Sequence, residues 1–230
     1  MPDILISEQI RGEAVDALAA RFDVQIMPDL WRDPRALADH IGGVRALIIR
    51  NQTQITGELL GRAKRLSVIG RAGVGLDNVD LAACARANVI VTSTPDQNAI
   101  SVAELAIGLM LSLARSIPAA DADTKRGNWN RQCFQGTELY RKVFGIVGAG
   151  KIGLLTANRA RAFGMHILAY DPYVSRDNVH LAELNAEFVS LEDLLRRSDV
   201  VSCHLPSTAA TSRMLNGERF RLMKPSAYFI

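Results

Sequence analysis

Short apolar runs rich in Val and Ile alternate along the chain with segments whose apolar residues recur at helical spacing. This alternation is typical of βαβ units on a parallel sheet. In the first part of the chain, strands are predicted over residues 4–7, 24–27, 46–49, 66–69 and 89–92. Amphipathic helices are predicted between them, over residues 13–21, 34–41, 57–63 and 81–87. These segments are enough for one complete small α/β domain.

A long helix is predicted to begin at Ser101, after the turn-forming residues 94–98. Ser101 and Glu104 have the spacing of a capping box, in which each side chain accepts a hydrogen bond from a free backbone amide. Residues 105–113 are apolar almost all round the helix, which predicts that it is buried. Packing between domains and an interface between two copies of the chain are both open interpretations. We expect the second, a homodimer through the helix starting at Ser101.

The alternation resumes after the polar residues 121–135. Strands are predicted over residues 143–147, 167–170, 187–189, 200–204 and 227–230, and helices over 152–163, 191–197 and 217–223. The predicted fold class is therefore α/β, with two βαβ domains on parallel sheets, at residues 1–98 and 99–230. Because the sequence ends inside an apolar strand, we expect the second domain to be incomplete at its C-terminus.

Composition and charge exclude several classes of protein. The chain has 230 residues, of which 48% are apolar and 22% charged, and its mean hydropathy is +0.07, as in ordinary globular proteins. A net charge of +3 is too small for a nucleic-acid binder built on a basic surface. The N-terminus lacks the cationic region of a signal peptide, and the strongest membrane candidate, residues 105–114, is too short to cross a bilayer. We expect a cytoplasmic protein with no nucleic-acid or membrane partner.

The cysteines carry no metal signature. Cys84, Cys133 and Cys203 match neither a CxxC motif nor the ligand spacing of a zinc site. We expect reduced, buried thiols and no bound metal.

The strongest chemical motif is the GxGxxG formed by Gly148, Gly150 and Gly153. A predicted strand precedes it, a predicted helix follows it, and Asp171 stands 171 − 153 = 18 residues after the last glycine, at the end of the next strand. Such glycines allow a tight turn and close approach of a pyrophosphate to the helix N-terminus. The acidic residue would accept hydrogen bonds from the adenosine ribose and repel a 2′-phosphate, which favours NAD over NADP. The motif therefore predicts a Rossmann domain that binds NAD.

A P-loop and a purely structural turn are the two other interpretations of these glycines. Residues 145–151 also read GxxxxGK, but Ile152 stands where a P-loop needs Ser or Thr to bind magnesium. A purely structural strand-to-helix turn would not require Asp171 at its position. The combination of strand, glycines, helix and acid favours dinucleotide binding.

Four ordered motifs resemble the D-isomer-specific 2-hydroxyacid dehydrogenases, and within that family the phosphoglycerate dehydrogenase branch. The motifs are Arg-Ala-Gly-Val-Gly-Leu-Asp-Asn-Val-Asp at 71–80, Asn98 with Ser-Val-Ala-Glu-Leu-Ala at 101–106, the glycine loop, and Tyr-Asp-Pro at 170–172. The resemblance implies a Rossmann-like or flavodoxin-like substrate domain, whose N-terminal part is residues 1–98, and an NAD-binding Rossmann domain in 99–230. It also implies hydride transfer to NAD from a small anionic 2-hydroxy acid bound in a cleft, with the corresponding 2-oxo acid as product.

The resemblance implies a substrate site in the first domain. Its residues would be Arg50, Arg71, Ala72, Gly73 and Val74. The backbone amides of 71–74 would bind the substrate carboxylate, Val74 would also reach the nicotinamide, and Arg50 would bind other anionic groups. Asn51 stands where the phosphoglycerate enzymes usually have Ser, so a sulfonated or shorter hydroxy acid is also compatible. Both arginines could instead be surface ion-pair partners.

The cofactor residues implied by the resemblance lie mainly in the second domain. They are Gly148, Gly150, Lys151, Ile152 and Gly153 at the pyrophosphate, Asp171 at the ribose, and Leu205, Pro206 and Val74 at the nicotinamide. Arg141 replaces a Gly that the family usually has before its first Rossmann strand, which we expect to alter only a surface turn.

No catalytic residue is predicted within residues 1–230. The family's catalytic Arg, Glu and His follow the strand that starts near residue 227 and would lie beyond Ile230. His204, at the end of a predicted strand, is interpreted as a wall of the cleft and not as a base. We expect an inactive fragment of a dehydrogenase. The alternatives are a non-catalytic NAD(H)-binding module, as in corepressors that share this fold, and an unstable gene fragment.

Overall fold

The computed structural model describes residues 2–95, 97–175, 178–208 and 210–230. The chain forms two compact units, Met1–Asn98 and Ala99–Ile230. Each unit has a five-stranded sheet in which every strand pair is parallel. The two units are described separately below.

The first unit alternates strands and helices from its first residues. Its strands are β1 (Ile4–Ile6), β2 (Val24–Ile26), β3 (Ala46–Ile49), β4 (Val68–Arg71) and β5 (Ile90–Ser93). Its helices are α1 (Glu13–Ala19), α2 (Pro34–Ile41), α3 (Gly57–Arg62) and α4 (Leu81–Arg86), with a short 3-10 helix at Leu30–Arg32. The strand order is β2-β1-β3-β4-β5, which is the flavodoxin-like order.

Three of the four helices of the first unit, α2, α3 and α4, begin after a residue whose side chain caps them. Asp33 accepts hydrogen bonds from the amides of Arg35 and Ala36 at the start of α2, and Asp80 accepts one from Ala83 at the start of α4. Strand β1 is buried on both faces, whereas β3 and β4 each have one half-buried face. Fully buried strand residues are Leu5, Ile6, Leu47, Ile49 and Ile69.

The second unit opens with two helices before its sheet. Its helices are α5 (Ala99–Arg115), α6 (Ile117–Lys125), α7 (Lys151–Ala162), α8 (Val179–Glu183), α9 (Leu191–Arg197) and α10 (Gly217–Phe220), with a 3-10 helix at Arg131–Phe134. Its strands are β6 (Val143–Val147), β7 (His166–Tyr170), β8 (Glu187–Phe188), β9 (Val200–Cys203) and β10 (Tyr228–Phe229). The order β10-β9-β6-β7-β8 is the Rossmann order, with β6 as the first strand.

Close packing of α9 on β6 explains a glycine inside the central strand. An added Cβ at Gly145 would overlap Ser198 Oγ and lie 2.6 Å from Leu194 Cδ2. Phe144 and Ile146, the neighbours of Gly145 on the strand, are fully buried. The core of this unit therefore lies on both faces of β6.

The predicted α/β architecture is confirmed, and each predicted strand lies within two residues of an observed one at both ends. Four short or polar elements were missed: the 3-10 helices Leu30–Arg32 and Arg131–Phe134, and the helices α6 and α8. Their segments have few apolar residues at regular spacing. Their stability comes from turns and caps, such as Asn178, whose side chain accepts hydrogen bonds from the first amides of α8.

The predicted start and burial of α5 are wrong. The helix begins at Ala99, so Ser101 lies in its first turn, and Glu104 lies 3.7 Å from Arg159 on α7 and does not cap the helix. Within the chain, α5 packs on α7 and only one of its faces is buried. Exposed apolar side chains cover the other face: Ile100 56%, Leu105 63%, Leu109 45% and Leu113 44%.

Two further sequence expectations concern local structure. Arg141 has a φ of 62°, so it adopts the left-handed conformation that a Gly would take without strain. Among the described residues, no single helix is long and apolar enough to cross a membrane. The helices α5 and α6, bent by 62° relative to each other, meet the same length and composition criteria when they are taken together.

The cysteine prediction needs one correction. All three cysteines are free, but only Cys84 is buried, whereas Cys203 is half-buried and Cys133 is exposed. Burial raises the pKa of the Cys84 thiol, and the charge of Asp80 adds to this shift. Cys84 is therefore a neutral core residue.

Candidate functional site

The glycine loop of the second unit connects β6 to α7. Gly148 has a φ of 102°, and an added Cβ there would lie 2.9 Å from the carbonyl carbon of His204. An added Cβ at Gly153 would overlap the carbonyl oxygen of Gly148. An added Cβ at Gly150 meets nothing within 4 Å. Two glycines thus permit close packing of the turn, and the third borders open space beside the backbone.

Helix α7 begins at Lys151, with Gly150 as its N-cap. Gly150 has no side chain that could cap the helix. The first amides of a helix carry partial positive charge and bind anions such as phosphate. Ile152 lies in the first turn of α7. The side chain of Lys151 is exposed and lines a separate groove of about 350 Å³ on α7 and α8. The loop therefore fits a pyrophosphate in its open space.

Asp171 follows β7 directly and bridges two loops. Its Oδ2 accepts a hydrogen bond from the amide of Ala149 at 2.9 Å. Its Oδ1 accepts hydrogen bonds from the amides of Tyr173 (2.8 Å) and Val174 (3.2 Å). Asp171 is half-buried beside the glycine loop, at the end of the second strand of the Rossmann order, where a ribose-binding acid is found in such folds.

The loops after β6 and β9 flank the point where the strand order of this sheet reverses, which is the usual ligand site of such sheets. Leu205 lies at this site, because its Cδ2 lies 3.1 Å from the position that a Cβ at Gly148 would take. Pro206 follows it and is exposed.

His204 is held by its own strand end. Its Nε2 lies 2.9 Å from the Oγ of Ser202, and its backbone amide donates to Val147. Burial lowers the pKa of His204, so the ring is neutral at neutral pH. Its one described side-chain partner is a serine hydroxyl, so no carboxylate orients the ring as a general base.

The first unit has a cavity of about 550 Å³ beyond the carboxyl ends of β3, β4 and β5. It is lined by Arg50, Asn51, Arg71, Ala72, Gly73, Thr94, Gln97 and Asn98. The structure thus brings together four of the five predicted substrate residues, and Val74 is not among the lining residues. A groove of similar volume lies between α2 and α3, but none of the predicted site residues line it.

Arg71 gives this cavity a positive wall. Its Nε is buried and has no hydrogen-bond partner among the described residues. Its guanidinium lies against Gly73, where an added Cβ would overlap Nη1. A partly buried cation with an unused donor is expected to bind an anion.

The backbone amides of this segment differ from the expectation. The amide of Ala72 donates to the carbonyl of Ile49 at 2.8 Å, and that of Gly73 donates to Arg71 at 2.9 Å. These two amides are therefore used within the fold. The amide of Val74 has no described hydrogen-bond partner, so it remains available to a carboxylate.

Sequence reasoning missed Thr94, Gln97 and Glu8 as parts of this region. Thr94 and Gln97 follow β5. A known strand order would have indicated both residues, because β5 is the neighbour of β4 and its end lies beside the end of β4. Glu8 lies behind the cavity and is described below.

Comparisons with known proteins agree with this geometry. Residues 107–230 match the family model described as "D-isomer specific 2-hydroxyacid dehydrogenase, NAD binding domain". The chain is 39% identical to D-3-phosphoglycerate dehydrogenase of Methanocaldococcus jannaschii and 40% identical to that of Mycobacterium tuberculosis. Both alignments cover 100% of this chain and 43% of the relative, so the chain spans less than half the length of these curated relatives.

A solved structure extends the comparison to the fold. D-lactate dehydrogenase of Aquifex aeolicus, complexed with NAD and lactic acid, has a TM-score of 0.87 and 30% identity to this chain. The match covers 98% of this chain and 67% of that one. The chain belongs to the D-isomer-specific 2-hydroxyacid dehydrogenase family, and its residues 107–230 lie in the family's NAD-binding domain.

Proposed function

We propose that the protein containing this chain is an NAD-dependent oxidoreductase that acts on the CH–OH group of a small anionic 2-hydroxy acid and resembles phosphoglycerate dehydrogenase. The observation that carries the proposal is the cavity with Arg50 and Arg71, in a chain that also has the glycine loop of an NAD-binding domain. The cofactor supplies the hydride acceptor. The residues of this chain bind and orient the two molecules.

The second unit would hold NAD through its backbone. The open space at Gly150 and the uncapped start of α7 fit the pyrophosphate. Asp171 would bind the ribose hydroxyls and reject a 2′-phosphate, so we expect NAD to bind more tightly than NADP. Leu205 and Pro206 would cover the nicotinamide side and exclude water from it.

The first unit would hold the substrate through two cations. Arg71 and the amide of Val74 would bind the carboxylate, and Arg50 would bind a second anionic group. An acid with two anionic groups, such as 3-phosphoglycerate, would use both arginines, and a sulfonated or shorter acid remains an alternative because of Asn51. Hydride transfer also requires a base for the hydroxyl proton. The described cavity lining contains neither a histidine nor a carboxylate, so we expect negligible turnover from residues 1–230 alone.

We also propose a homodimer through α5 and a cytoplasmic location. Leu105, Leu109 and Leu113 recur every four residues and present a continuous apolar stripe, which is typical of an interface between subunits. Three free cysteines agree with a reducing compartment.

The test combines binding with turnover. Residues 1–230 are titrated with NAD and NADP by calorimetry, and NADH production is measured with a panel of 2-hydroxy acids for these residues and for the full-length protein. We expect NAD to bind more tightly than NADP and only the full-length protein to turn over. Robust NADH production by residues 1–230 would refute the expected loss of catalysis. NAD binding without turnover by the full-length protein would favour a non-catalytic binding module.

A further inference from the structure

Glu8 is a buried acid just beyond β1. Only 3% of its surface is exposed, and carboxylates are rarely this buried unless they are paired or hydrogen-bonded. Its Oε1 accepts hydrogen bonds from the amides of Arg50 (2.7 Å) and Thr53 (3.0 Å), and its Oε2 accepts one from Gln52 (3.1 Å). One side chain thus binds three amides of the turn at residues 50–53.

Two further side chains fasten the same turn. The Nδ2 of Asn78 donates to the carbonyls of Arg50 (2.9 Å) and Thr53 (2.7 Å). The hydroxyls of Ser7 and Thr53 lie 2.9 Å apart, and both residues are fully buried. The inner side of the turn is therefore enclosed by a polar network with little freedom to shift.

The outer side of the turn faces the cavity. Arg50 and Asn51 are exposed and line it. No hydrogen bond or ion pair holds the guanidinium of Arg50 among the described residues, so its direction depends on the backbone that carries it. Long side chains lose entropy when they bind, and a fixed backbone reduces that cost.

The charge of Glu8 has an opposite effect on an anionic ligand. Burial alone would raise the pKa of Glu8, but hydrogen bonds from Thr53, Arg50 and Gln52 outweigh it and hold the pKa below its ordinary value. Glu8 is therefore ionised at neutral pH and repels anions through space. Glu8 therefore favours anion binding only if the binding free energy gained by fixing the turn exceeds the binding free energy lost through this repulsion.

We propose that Glu8 is a positioning residue, which fixes the turn at residues 50–53 and thereby directs Arg50 at the second anionic group of the substrate. This inference rests on the proposed function, because it assumes an anionic hydroxy acid in the cavity. It predicts a selective effect: Glu8 acts on ligands that need Arg50 and not on those bound by Arg71 and Val74 alone.

The decisive variant is Glu8→Gln, which keeps the shape but presents an NH₂ group to at least one backbone donor. We expect residues 1–230 carrying it to bind D-3-phosphoglycerate about tenfold more weakly, as for the loss of a charged hydrogen bond. The Kd for D-glycerate should stay within about twofold of wild type. Simple loss of negative charge predicts the opposite, tighter binding of phosphoglycerate, and that result would overturn the inference.

Two controls separate positioning from general destabilisation. In an Arg50→Met background, Glu8→Gln should change phosphoglycerate affinity by less than about twofold, because the group that it positions is gone. Asp199→Asn, in the second unit, neutralises a carboxylate that likewise accepts a hydrogen bond from a backbone amide, and it should leave the affinity unchanged. An equal loss in both Arg50 backgrounds would show a merely structural role. If Glu8→Gln does not fold, Glu8→Asp must show the same selective loss to a smaller extent, and wild-type affinities would overturn the inference.

Hydrogen exchange distinguishes failure of this inference from failure of the proposed function. The amides of Arg50, Gln52 and Thr53 should be protected in wild type and exchange at least about tenfold faster in Glu8→Gln, with or without ligand. Unchanged exchange would overturn the positioning role even if phosphoglycerate binds. Faster exchange in a protein that binds no hydroxy acid would support the hold on the turn and reject the proposed substrate.

Discussion

Alanine at Gly150 and at Gly153 should affect NAD binding for different reasons. At Gly150 the backbone has φ −72° and ψ −173°, which alanine adopts freely, and the added Cβ meets nothing within 4 Å. Folding stability should therefore change by less than about 1 kcal/mol, because alanine restricts the unfolded chain but is a poorer N-cap than glycine. The new methyl group nevertheless enters the space where we place the pyrophosphate.

At Gly153 the added Cβ overlaps the carbonyl oxygen of Gly148 and lies 3.1 Å from its carbonyl carbon. Both partners are backbone atoms, so neither can rotate away, and the loop or α7 must move by about 1 Å to reach ordinary contact. Overpacking of this kind costs about 1–3 kcal/mol. We expect Gly153→Ala to lower both the melting temperature and the affinity for NAD.

Thermal melting and calorimetric titration with NAD measure the two effects separately. Gly150→Ala should melt within a few degrees of the wild-type temperature and bind NAD at least about tenfold more weakly, as for the loss of one amide–phosphate hydrogen bond. Gly61→Ala, in helix α3 with open space at its Cβ position, is the matched control and should bind NAD normally. Wild-type affinity in Gly150→Ala would refute the assignment of the open space to the pyrophosphate.

Three further predictions follow from single contacts. Asp171→Ser should weaken NAD binding by about tenfold without weakening NADP binding, and an unchanged ratio of the two Kd values would contradict the role of the acid. Burial would raise the pKa of Asp199, but hydrogen bonds from the Val143 amide and Lys224 hold this pKa below its ordinary 3.8. The ionised Asp199 therefore stabilises the fold above about pH 4, and this stabilisation is lost as the pH falls through the lower pKa of the folded state. Asp199→Asn should accordingly lower the urea midpoint at pH 7 but have little effect near pH 2, and an equal loss at both would contradict this. Leu109→Gln should shift a dimer toward monomer in light scattering without lowering NAD affinity, whereas an unchanged mass would argue against α5 as the interface.

Most of the strands were predictable because they are short apolar runs rich in Val and Ile. The ends of the helices were less predictable from the sequence. A capping box at Ser101 is a local signal, but α5 begins two residues earlier, where Ala99 and Ala103 are fully buried. Helix α6 was missed because its sequence is polar. It begins after Ser116 in the left-handed conformation, and Asp123 near its end accepts hydrogen bonds from Asn128 and Asn130.

The two halves of the candidate site were predictable to different degrees. The glycine loop is local: its three glycines lie within six residues, the helix that they open begins at Lys151, and Asp171 follows 18 residues after the last glycine. The cavity of the first unit was expected only through the family resemblance. Its residues come from segments after three different strands, and whether those segments meet depends on strand order, which hydrophobic patterning does not determine.

Glu8 illustrates the same limit most sharply. In the sequence it is one acidic residue after an apolar run, which is as typical of an exposed loop as of a buried network. It contacts residues 42 to 45 positions away, and it does so because β1 and β3 are neighbours although β2 lies between them in the chain. The strand order reverses between β1 and β3, so the loops after both strands meet at the sheet's carboxyl end. A buried carboxylate at such a reversal can bind the backbone of the adjacent loop, and the arginine carried by that loop then gains a fixed direction without any contact of its own.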